Sequence, residues 1–182
     1  MKKITQDNYY EIIKLIEINN VHFIWVDFSG LDLWWKNISD CSFEKCNFSN
    51  SKFRSTSLNN IIFKKCKIMW INFNEINHNL SNFDFFDCNL NLCSFYSGYL
   101  KNTHFEDSQV KECDFSHADL EWVSFVYSDL EKSIFNQTNL TNTNFNFAVN
   151  FSIDPNNNKL KKTKFSRENM NLLLQNLDII IE

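Results

Sequence analysis

The chain has 182 residues, enough for one domain with a sizeable core, and a formal net charge of −4. It holds 19 Phe but only 2 Gly and 1 Pro, which excludes a fold whose tight turns rest on glycine and proline; any repeated turn has to be built by another device. The acidic balance argues against nucleic acid as a direct partner, and no apolar run approaches the roughly 18 residues of a membrane span.

The chain starts polar, Met1-Lys2-Lys3-Ile4-Thr5-Gln6-Asp7, without the apolar stretch of a signal peptide, so a cytoplasmic protein is expected. Thr5 to Ile18 reads as a helix, with Thr5 as N-cap and Tyr9, Ile12, Ile13 and Ile16 on one face. Residues 1–20 are thus expected to form an N-terminal helical cap.

From residue 21 the large apolar residues recur every fifth position, a period that fits neither a helix nor a simple strand. The first run is Phe23, Phe28, Leu33, Ile38, Phe43, Phe48, Phe53, Leu58, Phe63, Ile68 and Phe73. The next slot is His78, and the register breaks near 74–84, as either a bulge or a small projecting loop. A second run, offset by two residues, goes from Leu80 and Phe85 through Phe105, Phe115 and Phe125 to Phe145. Two residues before each centre stands a small residue: Cys88, Cys93, Gly98, Thr103, Ser108, Cys113 and Ala118. The residues flanking each centre are polar. One large and one small inward position in five describe a chain that bends after each short extended segment. Four segments close a square coil, so residues twenty apart lie above one another, as Phe85, Phe105, Phe125 and Phe145 would. An all-β solenoid over 21–151 follows.

Beyond Phe151 the run Asp154-Pro155-Asn156-Asn157-Asn158 reads as a turn. Ser166 then caps a second helix with Met170, Leu173, Leu174 and Leu177 as its stripe, followed by the apolar tail Ile179, Ile180 and Ile181. Residues 152–182 are expected to be a C-terminal cap. Its apolar surface exceeds what a lid needs, so these side chains are the candidate contact of a homodimer joined through its C-terminal ends.

The repeat resembles the pentapeptide-repeat family, whose motif A(D/N)LXX is matched outright by Ala118-Asp119-Leu120-Glu121-Trp122. The resemblance implies a right-handed quadrilateral β-helix, here with short N-terminal and C-terminal helical caps. Six to seven coils at about 4.8 Å would give a rod roughly 30 Å long.

The chemistry on offer does not point to an enzyme. Cys41, Cys46, Cys66, Cys88, Cys93 and Cys113 all occupy the small inward slot, where they are explained as buried hydrophobes, and their spacing suits no metal site. His22, His78, His104 and His117 have no companion nucleophile at a motif spacing, and there is no glycine-rich phosphate loop. No cofactor is implied.

The surface is segregated by charge. From Lys36 to Lys67 there are seven basic and two acidic residues, a balance of +5. From Asp84 to Glu131 there are ten acidic residues against Lys101 and Lys111, a balance of −8. The candidate partner-binding carboxylates are Asp84, Asp87, Glu106, Asp107, Asp119, Glu121, Asp129 and Glu131. The family resemblance includes the quinolone-resistance and microcin-immunity proteins, dimers that mimic duplex DNA and bind DNA gyrase or topoisomerase IV. It therefore implies a non-catalytic DNA mimic that protects a topoisomerase from a toxin or a quinolone. The alternative is a scaffold for an unrelated protein, which would use the outward aromatics Trp25, Trp34, Trp35, Trp70, Trp122, Phe86, Tyr96, Tyr99 and Tyr127.

Overall fold

The period of five becomes a coil with four short sides. The computed structural model, which describes residues 1–78 and 81–174, is a parallel solenoid with right-handed β-helical architecture. Its strands are β1 (Lys2–Ile4), β2 (Glu17–Asn19), β3 (Val21–Ile24), β4 (Asn37–Glu44), β5 (Ser57–Lys64), β6 (Asn82–Phe86), β7 (Phe105–Glu106), β8 (Asn144–Phe145) and β9 (Lys164–Phe165). One sheet runs β1-β3-β4-β5-β6-β7, with β2 also on β4, and β8 pairs with β9. The other sides are joined by single parallel bridges such as Asn89 to Gln109, Asp114 to Ile134 and Asp119 to Asn139. We number the sides by the columns starting at Phe23, Phe28, Leu33 and Ile38.

The large inward residues stack into continuous columns. Phe95 lies on Phe115 with ring centroids 5.0 Å apart and planes 1° from parallel, and Phe115 lies on Phe135 at 5.2 Å. The first-side column of Phe85, Phe105, Phe125, Phe145 and Phe165 repeats at 5.0–5.4 Å. Columns on opposite sides, the first and the third, meet edge to face across the coil, as Phe105 and Phe115 do at 5.7 Å and 89°. Both geometries suit the aromatic quadrupole.

The small slot does more than make room. Thr143 Oγ1 donates to the carbonyl of Leu120 at 2.8 Å, Thr138 to Phe115 at 3.0 Å and Ser51 to Phe28 at 2.8 Å. Cys113 Sγ points at the carbonyl of Leu90 at 3.1 Å, and Cys93 at that of Ile68 at 3.0 Å. A hydroxyl or thiol in this slot therefore tethers each coil to the carbonyl of a centre one coil below, which explains why Ser, Thr and Cys fill it. Burial pushes the Cys66 and Cys113 thiols up to about 12 and raises that of Cys93.

The missing glycines are accounted for at the corners. The residue two after most centres adopts a left-handed conformation whatever its type, Glu75 in its 3₁₀ turn being an exception: Trp25, Trp35, Lys65, Asp107, Trp122 and Phe147 have φ of 55°, 60°, 55°, 53°, 64° and 59°. In many corners the following N–H closes a four-residue turn, as Ala118 N to Phe115 O at 3.1 Å. Each L-residue held this way costs about 1–2 kcal/mol, offset by a backbone bond to the neighbouring coil such as Trp122 N to Thr141 O at 3.1 Å.

Both ends differ from the sequence expectation. The N-terminal helix is only α1 (Tyr9–Ile13), preceded by Asn8, whose side chain accepts from Thr5 N at 2.8 Å. Ile16 is exposed, and Ile18 is buried in β2 beneath Ile38. Sheet pairing to β4 overrides the helical pattern there, and Ile4 sits under Phe23 in the same way. The N-terminal segment is therefore an irregular first coil as well as a lid, with Tyr9 edge-on to Phe28 at 5.6 Å. At the other end the coil continues beyond Phe151: Thr163 donates to Leu140 O at 2.7 Å and Phe165 stacks on Phe145. The column from Phe23 to Phe165 thus spans roughly 34 Å at about 4.8 Å per step.

The register break is absorbed within one coil. Phe63 pairs with Phe85, so this coil takes two residues more than the others. A 3₁₀ turn at Phe73–Glu75 and a bond from Ser81 Oγ to Asn77 O at 2.8 Å carry the extra length. Burial lowers the pKa of His78 in this stretch. Leu80 lies outside the described residues.

Candidate interaction surfaces

The corner and flanking positions place each candidate carboxylate. Asp84 and Glu106 lie on the first side, and Asp87 and Asp107 on the corner between the first and second sides. Asp129 and Glu131 lie on the second side, and Asp119 and Glu121 on the fourth. The candidate carboxylates are therefore spread around the rod and do not form one stripe. Four of them are held by lysines from the coil below: Lys101 reaches Glu121 at 2.7 Å and Asp119 at 3.3 Å, and Lys111 reaches Asp129 at 2.7 Å and Glu131 at 3.1 Å. The hydrogen bond to Glu121 raises the Lys101 pKa, and that to Asp129 raises the Lys111 pKa. At Asp129 burial opposes the charged form, yet Lys111, Asn150 and the N–H of Glu131 together hold its carboxyl below the usual range. Asp84 meets His104 Nδ1 at 2.9 Å, and Glu106 accepts from Ser124 Oγ at 2.7 Å.

Asp87 and Asp107 project freely by comparison. Asp87 is 3.9 Å from Lys65, a pair too exposed to contribute much, and Asp107 is exposed on the same edge. Below them Lys45, Lys64, Lys65 and Lys67 form a basic patch, with the Lys45 ammonium 4.6 Å from the Trp25 ring centroid.

The aromatics point outward from several sides. Trp25, Trp35, Trp70 and Trp122 are half to two-thirds exposed, and Tyr127 stacks on Phe147 at 5.0 Å near the C-terminal end. Coil stacking also creates pairs with no motif spacing: His22 Nδ1 is 2.6 Å from Ser42 Oγ, and its Nε2 is 3.7 Å from Glu44.

At the C-terminal end, Ser166 precedes a 3₁₀ turn at Arg167–Asn169 that leads into α2 (Met170–Leu174). Asn169 is buried and donates to the carbonyls of Phe145 and Ala148 at 2.8 and 3.0 Å, closing the last coil. Met170 is exposed, whereas Leu173 packs partly on the core. A cleft of about 370 Å³ opens between Phe147, Val149 and Leu172. Of the other dimer candidates, the Leu174 side chain, Leu177, Ile179, Ile180 and Ile181 lie outside the described residues. Among the described residues no helix is long and apolar enough to cross a membrane, and no group of three or more His, Cys, Asp or Glu could hold a metal ion.

The twenty-residue spacing of Asp87 and Asp107 already sets them one coil apart on one corner, but sequence reading by segment missed that Lys45, Lys65, Trp25 and Tyr127 share it. The signal was available in the coil period applied to the corner positions.

Several solved structures resemble this chain. A trypsin-treated form of QnrB1, a plasmid-mediated fluoroquinolone resistance protein, is 20% identical over 91% of this chain and 90% of its own, with a TM-score of 0.49. HetL, a pentapeptide repeat protein involved in heterocyst differentiation regulation from the cyanobacterium Nostoc sp. strain PCC 7120, is 11% identical over 90% of this chain and 86% of its own, with a TM-score of 0.46. No curated protein matches the sequence. The family model for pentapeptide repeats matches in 8 copies at residues 37–68, 88–125 and 113–149. With over half its length matched and the coil geometry to go with it, the chain belongs to the pentapeptide-repeat family.

Proposed function

We propose that this protein is a non-catalytic DNA mimic that occupies the DNA-binding surface of DNA gyrase or topoisomerase IV in the cytoplasm. There it would protect the enzyme from a peptide toxin or a quinolone. The observation carrying this reading is the pair Asp87 and Asp107: exposed carboxylates one coil apart on one edge, inside the acidic stretch from Asp84 to Glu131. A rigid rod bearing carboxylates at a regular spacing competes with phosphates for lysines and arginines. The C-terminal stripe from Met170 to Ile181 would join two rods end to end and lengthen the mimic.

A second reading, a scaffold for an unrelated protein partner, is favoured by the neutralising bridges of Lys101 and Lys111 and by the exposed Trp25, Trp35, Trp70 and Trp122. Gyrase supercoiling with and without the protein separates the two. The mimic should inhibit supercoiling or alter drug- or toxin-stabilised cleavage, with an effect that falls steeply with salt. Asp87→Lys with Asp107→Lys should weaken it. Asp119 and Asp129 make poorer test positions because each caps a local turn, through the N–H of Glu121 and of Glu131. A wild-type rod without effect on gyrase or topoisomerase IV leaves the scaffold reading.

A further inference from the structure

From Trp25 to Tyr127 the corner between the first and second sides displays one side chain per coil, in the order Trp25, Lys45, Lys65, Asp87, Asp107 and Tyr127, and Phe147 follows on the next coil, stacked on Tyr127. Their φ angles lie between 53° and 59°, so each leaves the edge in the same direction. Backbone bonds from each corner N–H to the next coil, 2.9–3.4 Å long, keep them in register: Trp25 N to Glu44 O, Lys45 N to Lys64 O, and so on to Tyr127 N to Asn146 O. The two-residue insertion does not disturb the series, because Lys64 pairs with Phe86 and Lys65 therefore lies directly next to Asp87. Read along the rod from Trp25 to Tyr127, the edge is aromatic, basic, basic, acidic, acidic, aromatic.

That order is self-complementary on reversal. We infer that two copies of this chain pair side by side along this edge, antiparallel, about a two-fold axis between the levels of Lys65 and Asp87. Lys65 then faces Asp87 of the second copy, Lys45 faces its Asp107, and Trp25 meets its Tyr127. Each contact occurs twice, as two-fold symmetry requires. A parallel arrangement would oppose Lys to Lys and Asp to Asp, so charge selects the orientation.

The flanking residues largely agree. On the second side Asn47 faces Gln109 and Lys67 faces Asn89; on the first side Ile24 faces Val126. Glu44 faces Glu106 and Asp27 faces Asp129, two unfavourable pairs, but each carboxylate is held at home, Glu44 near His22, Glu106 by Ser124, Asp27 by the N–H of Ser29 and Asp129 by Lys111. The Lys65–Asp87 contact within one chain, 3.9 Å long and about half exposed, is loose enough to be exchanged for the intermolecular one. A contact one corner wide falls below about 1,200 Å² in total, the class of weak and transient encounters. Pairing this way covers Asp87 and Asp107, so it excludes any other partner of those aspartates while it lasts. It rests on the edge alone, and its test involves no topoisomerase.

The test is sedimentation velocity of the full chain at about 100 µM in about 50 mM and about 500 mM salt, where the Debye length drops several-fold. Wild type should associate one step further at low salt than at high salt, with association through the C-terminal ends unchanged between the two. Lys45→Asp with Lys65→Asp makes the charged part of the edge uniformly acidic, and Asp87→Lys with Asp107→Lys makes it uniformly basic. Each variant alone should lose the low-salt step, and an equimolar mixture should restore it. The milder Asp87→Asn with Asp107→Asn, which leaves the backbone bonds untouched, should weaken that step at least about tenfold. A wild type without a low-salt step, a reversal variant that keeps it alone, or a folded mixture that fails to regain it each overturns the proposal. Association through the C-terminal ends survives both reversals and high salt, so it sets the baseline and is not mistaken for the edge contact.

Discussion

Truncating Phe115 to alanine tests the core where it is most regular. Phe115 has no exposed surface, with Phe95 and Phe135 stacked on either face and Phe105 and Phe125 edge-on at 5.7 and 5.5 Å. Removing the ring empties roughly 100 Å³; at about 24 cal/mol per Å³ of unrelaxed cavity that costs about 2.4 kcal/mol, and the lost transfer of the ring adds about 2. The sum, about 4 kcal/mol, is a large share of the 5–15 kcal/mol by which a domain is usually stable. Stacked columns relax poorly, because the rings above and below are held by their own coils. Urea unfolding followed by far-UV circular dichroism, with an m-value of about 2 kcal/mol/M, should show the midpoint lowered by about 2 M. Phe147→Ala is the internal control: the same side chain, half exposed on a corner, should cost less than about 1 kcal/mol. Equal costs for the two, or a Phe115→Ala shift below about 0.5 M, would refute the stacked-core account.

Thr143→Val keeps the shape but removes the tether to the carbonyl of Leu120, and should lower stability by about 1 kcal/mol in the same urea assay. The buried thiols set an alkaline limit. Cys66 and Cys113 are pushed up to about 12 from an ordinary value of 9.0, so above that value the unfolded chain gives up protons that the folded one keeps. Stability is full below about pH 9 and falls as pH rises from there towards 12; an unfolding midpoint unchanged between about pH 8 and 11 would contradict this. Lys132→Gly, at an exposed corner with φ of 58°, should be neutral or stabilising within about 1 kcal/mol, since relief of the left-handed strain opposes the added freedom of the unfolded chain.

The inward pattern was legible because burial acts on every fifth residue without exception from Phe85 to Phe145. What the corners do was not legible. A left-handed backbone usually announces itself by glycine or asparagine, and here Trp35, Lys65 and Glu112 adopt it because ladder bonds on both sides leave no alternative. The N-terminal segment misled for a related reason: Tyr9, Ile12 and Ile13 do follow a helical period, but the open edges of β3 and β4 recruit Ile4 and Ile18 as strands. At the far end Leu160, Thr163 and Phe165 stand twenty residues from Leu140, Thr143 and Phe145, a relation hidden by the irregular side around Pro155. Charge misled most. Counting along the chain groups Asp119 with Asp129, whereas the coil sets them on different sides and gives each a lysine.

Closure in twenty residues makes the length of this molecule quantised. Adding or deleting a whole coil returns every later residue to its own side, so the rod can grow or shrink without rewriting its surface. A change of five would instead turn everything beyond it through a quarter rotation and move the Asp87 and Asp107 edge out of line with Lys45 and Lys65. The two residues added between Phe73 and Phe85 escape this rule because they lengthen a single side and leave the winding number unchanged. Duplication of one coil should therefore be the easiest route to a longer relative, and an insertion confined to one side the easiest route to a new loop.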